Sequence, residues 1–428
     1  MKRAAAAGLA LVAAVMPAWA ADYSFDAAEL EPRAYEIGGF AEGRYEHFWL
    51  RPDAALFPLS FPTPPSGDAL DRGTVGFELG GKYRKDMLGL YALVRGGAAY
   101  DQTASTSEFQ WLEGGLRLSP SEGLSFDVGK QVQRWGKGYA WNPVGFFERP
   151  KDPNDPQLSR EGYVIASADA VTSLSGGTLA AVGFTPLLMP VSSSVNDDYG
   201  ALGHTNLGAK LYLLVADTDL DLMWAGKGSR PERFGFDFSR NVGTQLEVHG
   251  EWARAIGVTR RELGPDGIVT TSRANADSWL IGARYLTESE VTVIGELYRN
   301  GTGFEEAQLA RFYALLDQAF AAGGGQALQA LARSLAQSGY GRANPGRNYA
   351  YLRVSAKDPF DWLYVAPSVT SIVNLDDRSY QLTFELLYTG WQDLELRLRG
   401  TLTRGEESAE FGEKASSQRV EVRLRLYF

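Results

Sequence analysis

The last thirteen residues, SSQRVEVRLRLYF, constrain the fold more than any other stretch. Val420, Val422, Leu424, Leu426 and Phe428 share one parity, while Glu421, Arg423, Arg425 and Tyr427 share the other. A period of two separates apolar from charged side chains on an extended strand, whereas the 3.6-residue period of a helix would mix them. One face of this strand meets an apolar medium and the other meets water. A soluble sandwich and a membrane barrel both satisfy that condition.

The same signal recurs along the chain. Eighteen runs read as strands, at about 34–50, 72–84, 88–101, 107–118, 123–136, 162–173, 177–188, 205–217, 219–227, 233–240, 242–256, 277–287, 290–301, 347–357, 360–374, 377–389, 392–404 and 416–428. Their connections alternate in length. Tight links such as Lys85-Asp86-Met87, Ser175-Gly176, Asp217-Thr218 and Asp358-Pro359 interleave with longer ones at 51–71, 137–161, 189–204, 257–276, 302–346 and 405–415. The long-link positions at 102–106, 228–232 and 375–376 hold short links instead. Short turns on one rim and long loops on the other are the pattern of a transmembrane barrel, with short turns on the periplasmic side. In that medium the final strand must close against the first, because lipid does not tolerate an open edge. The reading is all-β: an antiparallel up-and-down transmembrane β-barrel of about 18 strands.

The start of the chain agrees. Lys2 and Arg3, the apolar run from Ala4 to Val15, and Ala18-Trp19-Ala20 form a secretory signal peptide, assigned to 1–20. A short periplasmic segment follows at 21–33, and the barrel occupies 34–428. No other stretch supplies a transmembrane helix. The chain has 48 glycines, 12% aromatic residues and no cysteine, so an exported protein here does without disulfides. A net charge of −10 excludes a nucleic-acid binder. Phe360 and Trp362, then Tyr388 and Trp391, gather near short turns as an interfacial girdle.

Signal peptide, strand number and a final strand ending in Phe428 resemble bacterial outer-membrane β-barrels of the porin-like kind. The resemblance implies that Tyr427 and Phe428 form the signal read by the barrel-assembly machinery. It also implies outer-membrane lipid and lipopolysaccharide as surroundings and small polar solutes as cargo. The segment from Gly129 to Gly136 is similar to a strand motif of porin-like and alginate-export-like barrels.

Two loops carry the functional expectations. The one at 137–161 contains Pro143, Pro150, Pro153 and Pro156, which restrict its conformations. In general porins the loop in this ordinal place folds inward. The resemblance therefore implies that Glu148, Arg149, Lys151, Asp152 and Asp155 lie near a constriction. In the loop at 302–346, Phe304, Leu309, Phe312, Leu315, Leu316 and Phe320 follow helical spacing; after Gly323-Gly324-Gly325, Leu328, Leu331 and Leu335 resume it. A helical hairpin with an apolar stripe must bury that stripe, as an external lid, a plug or a partner site.

Placing the charged face of each strand inward lines the lumen with Glu247, Glu251, Arg284, Arg353, Arg397, Arg399, Arg423 and Arg425 among others. Such charges either bias which solutes pass or pair with one another across strands. His249 lies between Glu247 and Glu251, but no nucleophile-elbow or HExxH motif occurs. The Asp152/Asn154/Asp155 spacing is not that of an EF-hand loop. No catalytic, cofactor or metal site is expected. The function read from the sequence is an outer-membrane channel for passive passage of small polar or charged solutes. The alternative is a gated exporter or surface-display barrel for a polysaccharide or other polymer.

Overall fold

The structure is a computed structural model that describes residues 34–156 and 158–428. The signal peptide and the 21–33 segment lie outside the described residues. Eighteen strands are present: β1 (Tyr35–Leu50), β2 (Ala69–Lys85), β3 (Leu88–Asp101), β4 (Ser105–Ser121), β5 (Leu124–Gln131), β6 (Tyr163–Ser173), β7 (Leu179–Val191), β8 (His204–Val215), β9 (Thr218–Ala225), β10 (Arg233–Val242), β11 (Leu246–Leu263), β12 (Val269–Leu286), β13 (Val291–Arg299), β14 (Asn348–Ala356), β15 (Val365–Asn374), β16 (Tyr380–Trp391), β17 (Leu394–Arg404) and β18 (Ser416–Tyr427). Each pairs antiparallel with the next, and β18 closes the ring on β1 with Glu42 opposite Arg425 and Arg44 opposite Arg423.

Alternation decides the two faces. Val420, Val422, Leu424 and Leu426 are exposed on the outside, as are Val75, Phe77, Phe109, Phe184, Leu297, Leu352 and Phe384. Glu421 and Arg423 are buried inside. Large apolar side chains facing outward all round the ring would be unstable in water and are favourable in lipid. Trp391, Trp362 and Phe360 are exposed on the short-turn rim.

Three expected boundaries move. The run expected at 123–136 stops at Gln131, because the chain turns into the lumen there. The loop expected at 257–276 is mostly strand: β11 and β12 extend beyond a bulge between Ala255 and Val258, leaving only 264–268 as a turn. Beyond the bulge only Leu263 and Val269 of this hairpin meet the apolar helical core, so no apolar alternation marks it. The strand expected from 360 begins at Val365, because Asp358, Phe360, Asp361 and Tyr364 adopt positive φ.

The connection between β13 and β14 holds helices α1 (Glu306–Phe320) and α2 (Gln326–Leu335). At its start Glu305 N–H donates to the Gln308 side chain (2.9 Å). Leu309, Phe312, Leu316 and Leu335 are buried together with Ala55 of the β1–β2 loop and Leu263 of β11. β1 and β11 stand on opposite sides of an 18-strand ring, so this core bridges part of the long-loop mouth. Among the described residues no helix is long and apolar enough to cross a membrane.

Candidate permeation pathway

The segment between β5 and β6 enters the barrel and fills half of it. Gly136 makes the entry: its φ is +95°, and a Cβ there would stand 2.1 Å from Asn142 Oδ1. The following backbone amides point at two wall carboxylates. Glu251 Oε1 accepts from Lys137 N (2.7 Å) and Gly138 N (2.6 Å), and its Oε2 accepts from Val144 N (3.3 Å). Glu296 accepts from Tyr139 N and Ala140 N (2.9 Å), and His249 Nε2 lies 3.0 Å from it. Both carboxylates are almost fully buried. Buried charge is tolerated when such charge-assisted bonds replace water. Tyr139 hydroxyl donates to Glu247 (2.9 Å), and Lys137 Nζ lies 3.1 Å from Asp221.

Apolar packing completes the seal. Trp135, Val144, Phe146 and Phe147 bury against Ile165, Leu187, Met189, Met223 and Ala253 of the wall. Trp141 stacks on Tyr298 at 5.0 Å. Glu148, Arg149 and Lys151, expected beside the constriction, fasten this packed mass internally. Glu148 pairs with Arg160 (2.6 Å), and burial pushes its carboxyl up to about 7. Arg149 donates to the carbonyls of Glu161 (3.0 Å) and Gly162 (2.7 Å) and lies over the Tyr163 ring. Lys151 donates to the Gly138 carbonyl, and burial lowers its pKa.

From Lys151 the chain crosses to the other wall. Gln381 of β16 donates to Asn154. Asp155 Oδ2 stands 3.6 Å from Arg397, 3.6 Å from Arg399 and 3.7 Å from Arg423. Ser159 then donates to Glu78 of β2 (3.0 Å). Between this crossing and strands β14 to β18 and β1, space remains. One cavity of about 320 Å³ is lined by Arg44, Asp152, Asp155, Arg399, Lys414, Arg419 and Arg423. A second, of about 250 Å³, is lined by Asp155, Arg353, Lys357, Glu385, Arg397 and Arg399. Lys414 and Ser416 place the first toward the long-loop rim, while Glu290 and Lys357 place the second toward the short-turn rim. The two share Asp155 and Arg399.

Three of the wall arginines stand in front of their partners. In Arg44–Glu46, Arg419–Glu46 and Arg353–Glu385 the arginine is 25–30% exposed and the carboxylate 5–11%. Arg44, Arg353 and Arg419 therefore reach the space, whereas Arg397, Arg399 and Arg423 are buried beside their carboxylates. Arg425 pairs with Glu42 (2.8 Å) and lies over Phe40. Arg284 faces Glu247 in the β11–β12 register and is exposed on the lumen side. Tyr427 hydroxyl donates to Glu395 (2.9 Å), and Phe428 is exposed at the rim.

The structure therefore brings Asp152, Asp155, Arg353, Arg397, Arg399 and Arg423 to one passage. It puts Glu247 and Glu251 under the loop, on the opposite wall. Glu296, which holds two loop amides, carried no distinguishing signal: it is one inward carboxylate on one strand, paired with residues 157 and 156 positions away. Gln381 was missed for the same reason, its partner Asn154 lying 227 positions away, and Arg160 because its pairing with Glu148 forms only within the folded loop.

No family model matches the sequence, and no curated protein matches it. Among solved structures the chain is similar to Pseudomonas aeruginosa OccK5 (OpdH), at 11% identity over 92% of this chain and 98% of that one, TM-score 0.52. It is also similar to Pseudomonas aeruginosa OpdQ, at 10% identity over 93% and 99%, TM-score 0.53. The outer membrane protein OprD of the same organism matches at 9% identity over 92% and 94%, TM-score 0.50. At these identities the likeness is one of fold: a porin-like closed barrel.

Proposed function

We propose that this chain is an outer-membrane channel for passive passage of small polar solutes, with anions favoured. The observation that carries the reading is the pair of cavities that share Asp155 and Arg399 in their linings, one toward the long-loop side and one toward the short-turn side, along a wall where Arg44, Arg353 and Arg419 stand forward. Forward charges of one sign set the potential that a permeating ion meets. Cavities of about 320 and 250 Å³ suit small solutes and argue against passage of a bulky polymer. His249 is fully buried beneath the loop, so it serves the wall and reaches no substrate.

The test is single-channel recording in a planar bilayer under a salt gradient. Steady conductance with a reversal potential on the anion side is expected. Silence, or a cation-side reversal potential, rejects the reading. Deleting 304–340 is expected to leave selectivity unchanged and raise conductance modestly, as for an external lid. A silent intact protein that opens on this deletion would instead make the hairpin a plug and favour a gated exporter.

A further inference from the structure

Resting on that reading, we propose that Asp155 is an internal counter-anion: it holds the place of a permeating anion at the arginine cluster and yields it as the solute passes. The wall glutamates hold their arginines by true hydrogen bonds, as in Arg399–Glu385 (2.5 and 3.0 Å) and Arg423–Glu421 (3.0 Å). Asp155 does not. Its single oxygen Oδ2 lies 3.6–3.7 Å from three guanidinium groups on two strands, beyond hydrogen-bond reach. It is attracted by three cations at once and fixed by none.

The backbone around it is also loosely tied. The 137–144 stretch hands five amides to Glu251 and Glu296. Among the described residues the 152–155 stretch reaches the opposite wall through one neutral bond, Gln381 to Asn154, and its other hydrogen bonds are local, as in Asp155 N to Asp152 O (3.1 Å) and Leu158 N to Asp155 O (3.0 Å). Arg397 Nε is buried without an acceptor, a deficit that an incoming anionic oxygen at ordinary bonding distance would relieve. Asp155 and Arg399 border both cavities, so a solute crossing from one to the other at this shared lining meets both. A carboxylate that competes at this point keeps anion binding weak enough for release, which conduction requires.

The experiment compares wild type with Asp155→Asn, which keeps the shape and removes the charge, and with Asp155→Glu, which keeps the charge. Acetate and inorganic phosphate are the probes, and the readout is single-channel current against anion concentration. Heat-modifiable gel migration checks folding. In Asp155→Asn the half-saturating acetate concentration is expected to fall about tenfold, with slower passage at saturation, while Asp155→Glu stays near wild type. Phosphate is expected to follow acetate. An anion-selective wild type whose half-saturation is unmoved by Asp155→Asn overturns the inference alone. Loss of conductance in a folded Asp155→Asn barrel overturns it too, and makes the residue a strut. A wild type without anion preference overturns the inference together with the proposed function.

Discussion

The two halves of the lumen are built from the same kind of wall and end in opposite states. From β5 round to β13 the wall is covered at the level of the loop: wall carboxylates bond loop amides, and Phe146, Phe147 and Trp141 pack against it. From β14 round to β1 space remains beside the wall, and Arg397, Arg399 and Arg423, neighbours on β17 and β18, stand 3.6–3.7 Å from Asp155. Both halves alternate apolar and polar residues with period two. Whether an inward carboxylate becomes a fastening or a pore charge depends on what lies over it. Glu251 is covered by backbone donors, while Glu385 and Glu421 accept from arginine side chains of the wall.

The largest expected effect comes from undoing the shut half. The double variant Glu251→Ala, Glu296→Ala strands five loop amides, each costing about 1–3 kcal/mol when buried without a partner. The loop should leave its seat, and single-channel conductance should rise several-fold with added flicker, while the closed ring keeps the barrel folded. Unchanged conductance would mean that apolar packing alone holds the loop, and the contrast between the halves would lose its electrostatic half.

Next in size is the open half. The triple variant Arg397→Gln, Arg399→Gln, Arg423→Gln removes the cations while leaving Glu385, Glu395 and Glu421 in place. The reversal potential should cross to the cation side. Retained anion preference would assign selectivity to the more exposed Arg44, Arg353 and Arg419 instead.

A pH effect should be smaller and confined to the shut half. Burial raises the Glu148 carboxyl to about 7, above its unfolded value. A raised folded pKa contributes stability that is full below the ordinary carboxylate range and is lost as pH rises through about 7. Amide protection factors at 142–149, corrected for the intrinsic pH dependence of exchange, should therefore fall between pH 5 and pH 8, and Glu148→Gln should flatten that dependence. The smallest effect is expected outside the ring. Arg254 and Asp277 pair at 3.1 Å on the outer face and are each more than 40% exposed. Arg254→Gln should change stability by less than about 1 kcal/mol and leave conductance alone. A large change there would mean that the lumen comparison misses a coupling through the wall.

The strands were legible where one face meets lipid. The β3 span matches residue for residue, and β18 reads directly from its alternation. Legibility failed where that contrast vanishes. Above the bulge in β11, residues such as Thr259, Arg260 and Arg261 are polar on both faces, so the hairpin looked like loop. At Gln131 the strand pattern continues through Val132, but Gly136 and the glutamates beyond pull the chain inward. Among the expected site residues, those on strands fell on the expected face because parity is local. Glu148, Arg149 and Lys151 fall in the packed interior of the loop, because their partners Arg160, Gly162 and Gly138 are fixed only once the loop has folded.

The sequence by itself determined a barrel of 18 strands, its inside and outside, the charged residues available to the lumen, and a helical hairpin in one loop. These follow from period, turn chemistry and the intolerance of lipid for open edges, each of which acts over a few residues. Only the tertiary structure decided which half of the lumen closes, which carboxylates are spent on backbone amides, and that one aspartate stands among three arginines. Those outcomes join residues more than a hundred, and in Asp155 and Arg399 more than two hundred, positions apart. They depend on where one loop comes to rest, which no local pattern encodes.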